Sequence, residues 1–145
     1  MEPIEQVRQL LMTERLAVLA TQGDQGPYAS LVSVTASADL RRVVFPTLRA
    51  STKYHNLARY PAVALMLDTR SSTDRDLTEA IALTVLGSAR EAEREERGDL
   101  QATFLTRHPD LSSFVSDSDC ALIVVQVNRY VLVSEFDHKD VLDIA

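Results

Sequence analysis

The spacing of hydrophobic positions changes several times along the chain, and each change marks an element. Near the start, Pro3 suits a first helical position, where its missing N–H costs nothing. Ile4, Val7, Leu10 and Leu11 then recur on one face, which predicts an amphipathic helix. From Leu16 the pattern becomes a short apolar run, 16–21, followed by Gln22-Gly23-Asp24-Gln25-Gly26-Pro27, which is turn chemistry. Residues 28–37, with Leu31, Val32 and Val34, read as a second strand. Asp39-Leu40-Arg41-Arg42 makes a polar turn, and Val43-Val44-Phe45 starts a third strand. Short connections between such runs predict an antiparallel meander.

Beyond residues 47–53, Tyr54, Leu57 and Ala58 fall at helical spacing, and Pro61 stops that helix. Residues 62–68 are almost continuously apolar, as in strands buried on both faces or in barrel staves. The polar stretch 69–77 reads as an exposed loop. Residues 78–89 read as a long strand, with Ala80, Ala82, Thr84, Leu86 and Ser88 on one face and Ile81, Leu83 and Val85 on the other. Gly87 marks a bend or bulge in it. Residues 91–107 predict a charged, then amphipathic, helix ended by Pro109, and 111–116 a second short one. Residues 120–136 are one long strand, or two broken at Asn128-Arg129, and 137–145 form a mostly polar tail. The pattern predicts a mainly β, α+β chain: a closed or half-open antiparallel barrel with flanking helices.

Composition narrows the class. The 145 residues amount to one domain, expected to span 1–145, and 46% hydrophobic with 25% charged residues is ordinary for a globular chain. With 15 basic and 21 acidic residues the net charge is −6, which disfavours a general nucleic-acid binder. Cys120 is the single cysteine, so neither an internal disulfide nor a zinc site of two thiolates is available. Acids near the N-terminus and the lack of an apolar run of roughly 20 residues predict a soluble, cytoplasmic protein with no membrane or nucleic-acid partner.

The chemistry concentrates in Phe45-Pro46-Thr47-Leu48-Arg49-Ala50-Ser51-Thr52-Lys53-Tyr54-His55-Asn56-Leu57. A strand ends, a turn rich in hydroxyls and bases follows, and a helix begins with Ser51 as a good N-cap. Free N–H groups at a helix start attract anions. Thr52 and Lys53 add a hydroxyl and an ammonium there, and Arg49 is expected to add a second charge. The set suits a phosphate monoester. The same residues also read as a capped helix with Lys53 and Arg49 in solvent, and the glycines of a Walker loop are missing.

At this point the sequence resembles the pyridoxamine 5'-phosphate oxidase-like, FMN-binding split-barrel family, in particular its small members similar to haem-utilisation proteins. The resemblance runs through Ala17-Val18-Leu19-Ala20-Thr21, Gly26-Pro27-Tyr28-Ala29-Ser30-Leu31-Val32, Phe45-Pro46-Thr47 and Ser51-Thr52-Lys53-Tyr54-His55-Asn56-Leu57. It continues in Thr84-Val85-Leu86-Gly87-Ser88-Ala89 and Phe104-Leu105-Thr106-Arg107-His108-Pro109. It implies an antiparallel split β-barrel of Greek-key type with flanking helices, forming a homodimer with FMN at the subunit interface. It also implies that Ser30, Leu31 and Val32 pass along the isoalloxazine edge, that Thr47 closes the next strand against the flavin, and that Ser51, Thr52 and Lys53 hold the phosphate. Many relatives carry Arg where this chain has Thr52, and no family role attaches to Arg49. True pyridoxamine phosphate oxidases are longer and end in a segment with Trp, Arg and His. This chain has no Trp, so a different reaction is expected of it.

Other residues carry blander expectations. His55, His108 and His138 are too dispersed for a metal site, with His108 at a helix end and His138 in solvent. Cys120 reads as a small buried hydrophobe. Asp74, Asp76 and Glu79 cluster without an acid–base spacing. Glu91, Glu93, Glu95 and Glu96 alternate with Arg90, Arg94 and Arg97 as a solvated helix face. Gly23-Asp24-Gln25-Gly26 reads as a hairpin turn. The expected function is a flavin-dependent oxidoreductase on a small-molecule substrate. The alternatives are a non-enzymatic flavin or haem carrier or sensor, or a deazaflavin-dependent reductase.

Overall fold

The computed structural model describes residues 1–135 and 137–144. Helix α1 (Pro3–Thr13) buries Val7, Leu10 and Leu11, the stripe its spacing predicts. Strands β1 (Leu16–Gly23) and β2 (Gly26–Ser33) form a hairpin closed by Asp24-Gln25, with Gly26 at φ 127°. The segment 28–37 is not one strand. It breaks at Val34, whose N–H donates to the Arg15 carbonyl at 3.1 Å, and resumes as the short β3 (Thr35–Ala36). Strand β4 (Arg42–Leu48), helix α2 (Thr52–Arg59) and strand β5 (Ala62–Asp68) follow.

The long strand expected from residue 78 starts later. Asp76 accepts the N–H groups of Ser71 and Thr73 at 3.0 and 3.1 Å and begins a one-turn helix, α3 (Asp76–Glu79), so β6 runs from Ala82 to Glu91. Asp76 is thereby held below the ordinary carboxylate range, first by Ser71. Glu91 ends a strand rather than starting a helix. Helix α4 (Arg94–Arg107) begins after Glu93, whose N–H donates to Glu96 at 2.8 Å. A 3-10 turn (Pro109–Leu111) and helix α5 (Ser112–Ser116) lead to β7 (Cys120–Ser134). Strand β7 is unbroken, and the proposed end at Phe136 lies outside the described residues. The expected polar tail forms a last strand, β8 (His138–Asp143), on the half of β7 that β4 does not cover.

All ladders are antiparallel, and the sheet runs β2-β1-β5-β6-β7-β4-β3 with β8 added beside β7. Strands β5, β6 and β7 follow one another while β4 returns beside β7, which is a Greek-key order. The fold is therefore the antiparallel split barrel expected, flanked by helices. Gly87 and Asn128 meet at one irregularity: Leu86 pairs Arg129 and Gly87 pairs Val127, leaving Asn128 as the extra residue of a bulge. A Cβ on Gly87 would lie 2.3 Å from the Gln126 carbonyl oxygen, so the close crossing requires glycine.

The core lies inside the curl, from Leu19, Leu65, Leu83, Val85, Phe45, Ile123 and Tyr130. A smaller cluster of Phe104, Val115 and Leu122 packs helices α4 and α5 on the other side of β7. Residues 62–68 are apolar on both faces, yet only Val63, Leu65 and Leu67 are buried. That corrects the two-sided burial the run implies, while its place as a barrel stave holds. The outer face of β1, β2 and β5 leaves Leu16, Leu31 and Met66 exposed. No helix among the described residues is long and apolar enough to cross a membrane.

Candidate functional site

Strand β3 pairs only with Val43 and Val44 of β4, so from Phe45 onward β4 is an open edge where Pro46 is tolerated. A cleft of about 320 Å³ opens there. One wall is Leu31, Val32 and Ser33 of β2; another is Pro46, Thr47 and Leu48 of β4. Ser51 and Lys53 reach it from the start of α2, and Leu111 and Phe114 face it from the α5 segment. The cleft thus brings together five of the seven expected positions: Leu31, Val32, Thr47, Ser51 and Lys53. Thr52 is exposed beside it as the first residue of α2. Ser30 sits one residue before Leu31, on the inward face of β2 opposite Leu19. Its hydroxyl oxygen is buried with no hydrogen-bond partner among the described residues.

The hydroxyls divide into holders and free donors. Ser51 Oγ donates to the Leu48 carbonyl at 2.7 Å and accepts the Tyr54 N–H at 3.3 Å. A serine has one proton, so the 3.0 Å contact between Thr47 Oγ1 and Ser51 Oγ is made by Thr47 donating. Ser51 and Thr47 therefore shape the turn. The N–H groups of Thr52 and Lys53 have no intrahelical partner and carry the positive end of the helix. Lys53 makes no ion pair among the described residues. Two backbone donors, one hydroxyl and one ammonium beside an apolar wall fit the phosphate and ring of a nucleotide-like flavin.

Arg49 departs from expectation. Its guanidinium turns away from the cleft and donates to Glu91 at 2.6 Å and to the Ser118 carbonyl at 3.0 Å. Tyr54 Oη donates to the other oxygen of Glu91 at 2.6 Å. The Arg49 bond, chiefly, holds the Glu91 carboxyl below its usual range, and Glu91 raises both Arg49 and Tyr54. The reading of residues 90–97 as a solvated face is corrected in part: Glu93, Arg94 and Glu95 are exposed, but others are engaged. Besides Glu91, Arg97 donates to the Cys120 and Val115 carbonyls at 2.9 and 3.2 Å, and Arg90 pairs with Glu96.

Sequence reasoning missed Ser33, Pro46, Leu48, Leu111 and Phe114 as cleft residues. Pro46 and Leu48 flank Thr47 in the motif, which was a usable signal; Leu111 and Phe114 carried none. His55 is exposed on α2. His108 is buried at the end of α4, stacks on Phe104, and donates from Nε2 to the Val34 carbonyl at 2.8 Å, fixing the break after β2. His138 is exposed and lies 3.2 Å from Asp140. Cys120 is buried, which pushes its thiol up. No cluster among the described residues is arranged to hold a metal ion.

The family model for pyridoxamine 5'-phosphate oxidase matches residues 3–133. The chain belongs to the pyridoxamine 5'-phosphate oxidase family. Within that family's fold it is similar to a heme binding protein from Mycobacterium smegmatis at 22% identity and TM-score 0.86, covering 99% of this chain and 59% of that one. This chain therefore spans less than two thirds of that relative's length. It is also similar to General Stress Protein 26 from Bacillus anthracis at 18% identity and TM-score 0.76, covering 99% and 100%. A FAD-binding protein from Mesorhizobium loti shares 13% identity at TM-score 0.70, covering 98% and 96%. At these identities the likeness is one of fold. No protein of curated function matches the chain.

Proposed function

We propose that this chain binds FMN in the cleft between β2, β4 and α2 and acts as a flavin-dependent oxidoreductase on a small-molecule substrate. The observation that carries this reading is the convergence of Lys53 and the free N–H groups of α2 on a cleft walled by Leu31, Val32, Leu48 and Phe114. When bound, the flavin supplies the hydride or electron chemistry. The chain's own part is binding and orientation. Lys53 and the Thr52 and Lys53 amides would take the phosphate, the apolar wall would exclude water from the ring, and Thr47 would brace Ser51 at the turn.

The reading includes a homodimer. Leu31, Val18 and Met66 stand side by side across β2, β1 and β5 on the outer face, and Leu31 and Met66 are 66% and 37% exposed. A second copy seated there would cover this face beside the cleft and complete a pocket that one chain leaves open. Such a contiguous apolar surface supports a protein interface.

A second reading, haem carriage, rests on the printed function of the Mycobacterium smegmatis relative. The cleft lining, which among the described residues contains no His, Cys, Met or Tyr, favours the flavin. The test is titration with FMN and with haem, followed by absorbance and by sedimentation. Micromolar FMN binding to a dimer, bleached by a reduced nicotinamide and recovered with an acceptor, is expected. Failure to bind FMN overturns the reading, and a Soret band without turnover replaces it with the carrier. Lys53→Ala is expected to weaken FMN by about 1.5–3 kcal/mol.

A further inference from the structure

Arg49 and Glu91 are 42 residues apart in sequence, and nothing in the motif joins them. In the fold they form a bracket. Glu91, the last residue of β6, takes Arg49 Nη2 on one oxygen and Tyr54 Oη on the other, each at 2.6 Å. Arg49 also holds the Ser118 carbonyl at 3.0 Å, and its own N–H donates to the Asp119 carbonyl at 2.9 Å. The Ala50 N–H reaches the Asp119 carboxylate at 3.3 Å. The turn at 48–53 is thereby tied at two points. One is the end of β6. The other is the segment after α5, which carries Phe114 on the opposite wall of the cleft. Both partners of the ion pair are about one-third exposed, so the pair is worth little as a source of stability. Its geometry matters more: it sets where the free amides of Thr52 and Lys53 stand relative to Phe114.

We infer that Glu91 is a positioning residue for the anion-binding turn, acting through Arg49 and Tyr54, and that by holding Arg49 it leaves Lys53 as the one cation lining the cleft among the described residues. The inference rests on the reading of the cleft as a flavin-phosphate site. It implies that phosphate recognition depends on a carboxylate that never touches the phosphate. Removing that acid, which frees a cation close by, weakens anion binding instead of strengthening it.

The test compares FMN with riboflavin, which lacks the phosphate, by fluorescence titration of the full chain. Glu91→Gln is expected to weaken FMN about fivefold and to leave riboflavin within about twofold. Arg49→Ala is expected to do the same, and the double variant no more than either alone, because the residues act as one unit. Equal losses for both flavins would mean general damage to the fold and overturn the inference. Unchanged or tighter FMN binding by Glu91→Gln would overturn it too, since a released Arg49 would then be serving the phosphate. If the wild-type chain binds neither flavin, the flavin reading fails by itself, and amide hydrogen exchange decides the bracket. Glu91→Gln must then speed exchange at residues 49–51, whose N–H groups are hydrogen-bonded in the turn, while Leu65 keeps its protection; unchanged exchange at 49–51 overturns the inference.

Discussion

Two adjacent rows of residues cross the same strands and meet opposite fates. On the inner face, Ser30, Leu19, Leu65 and Val85 stand side by side across β2, β1, β5 and β6, and the three apolar members are fully buried. One residue along, Leu31, Val18, Met66 and Thr84 form the outer row, with Leu31 and Met66 open to solvent. The composition of the two rows is similar. What differs is that the curl of the sheet and helix α1 cover the inner row, while the described residues leave the outer one open at Leu31 and Met66. An apolar strand face therefore reports that burial is needed, and the partner has to be found in space. For the outer row we propose a second copy of the chain.

Substitution can break this comparison most strongly at Leu65. Leu65→Ala is expected to cost about 2–5 kcal/mol in urea unfolding, since it leaves a cavity in a closed core. A loss below about 1 kcal/mol would show the inner row to be loosely packed. On the outer row, Met66→Arg should leave the monomer's stability within about 0.5 kcal/mol, as surface changes usually do. The same change should dissociate the dimer in sedimentation velocity, and a persistent dimer would move the interface elsewhere. Ser30 sharpens the contrast as the polar member of the inner row. Its unpartnered hydroxyl predicts that Ser30→Ala stabilises the ligand-free chain by about 1 kcal/mol in a thermal melt. Weaker FMN binding by the same variant would mark that hydroxyl as kept for the flavin.

The smallest effect is acid dependence at Glu91, at the far end of the neighbouring strand. Its folded pKa lies below the ordinary 4.5, with Arg49 the leading cause. The stabilisation is therefore complete above about pH 4.5 and is lost as pH falls through the depressed folded value. Exposure limits it to about 1 kcal/mol or less. Stability of Glu91→Gln should fall less steeply over that acid range than wild type, measured by urea unfolding at successive pH values. Parallel curves would mean that the pair contributes nothing.

Much of the fold was legible because it is written in neighbours. Helical spacing marked α1 and α2, the Gly23-Asp24-Gln25-Gly26 turn marked the first hairpin, and Gly87 marked the bulge. The cleft was legible in part for the same reason. Ser51, Thr52 and Lys53 open a helix, and a helix start offers N–H groups whatever lies around it. Tyr28 to Ser37 misled because the break at Val34 is made by Arg15 and His108, which lie outside that segment. The polar tail misled because a strand with few apolar residues still pairs when an exposed neighbour, here the second half of β7, leaves its backbone unpaired.

The sequence by itself determined most element types, the antiparallel plan and the free N–H groups that open α2. These follow from local periodicity, capping and backbone permissiveness. Only the tertiary structure decided that Arg49 serves Glu91 rather than an anion, that Leu111 and Phe114 wall the cleft, and that one of two equally apolar faces stays open. Those outcomes depend on which distant groups the sheet brings within a few ångströms. A charge acts through its nearest partner in space, and chain order does not name that partner.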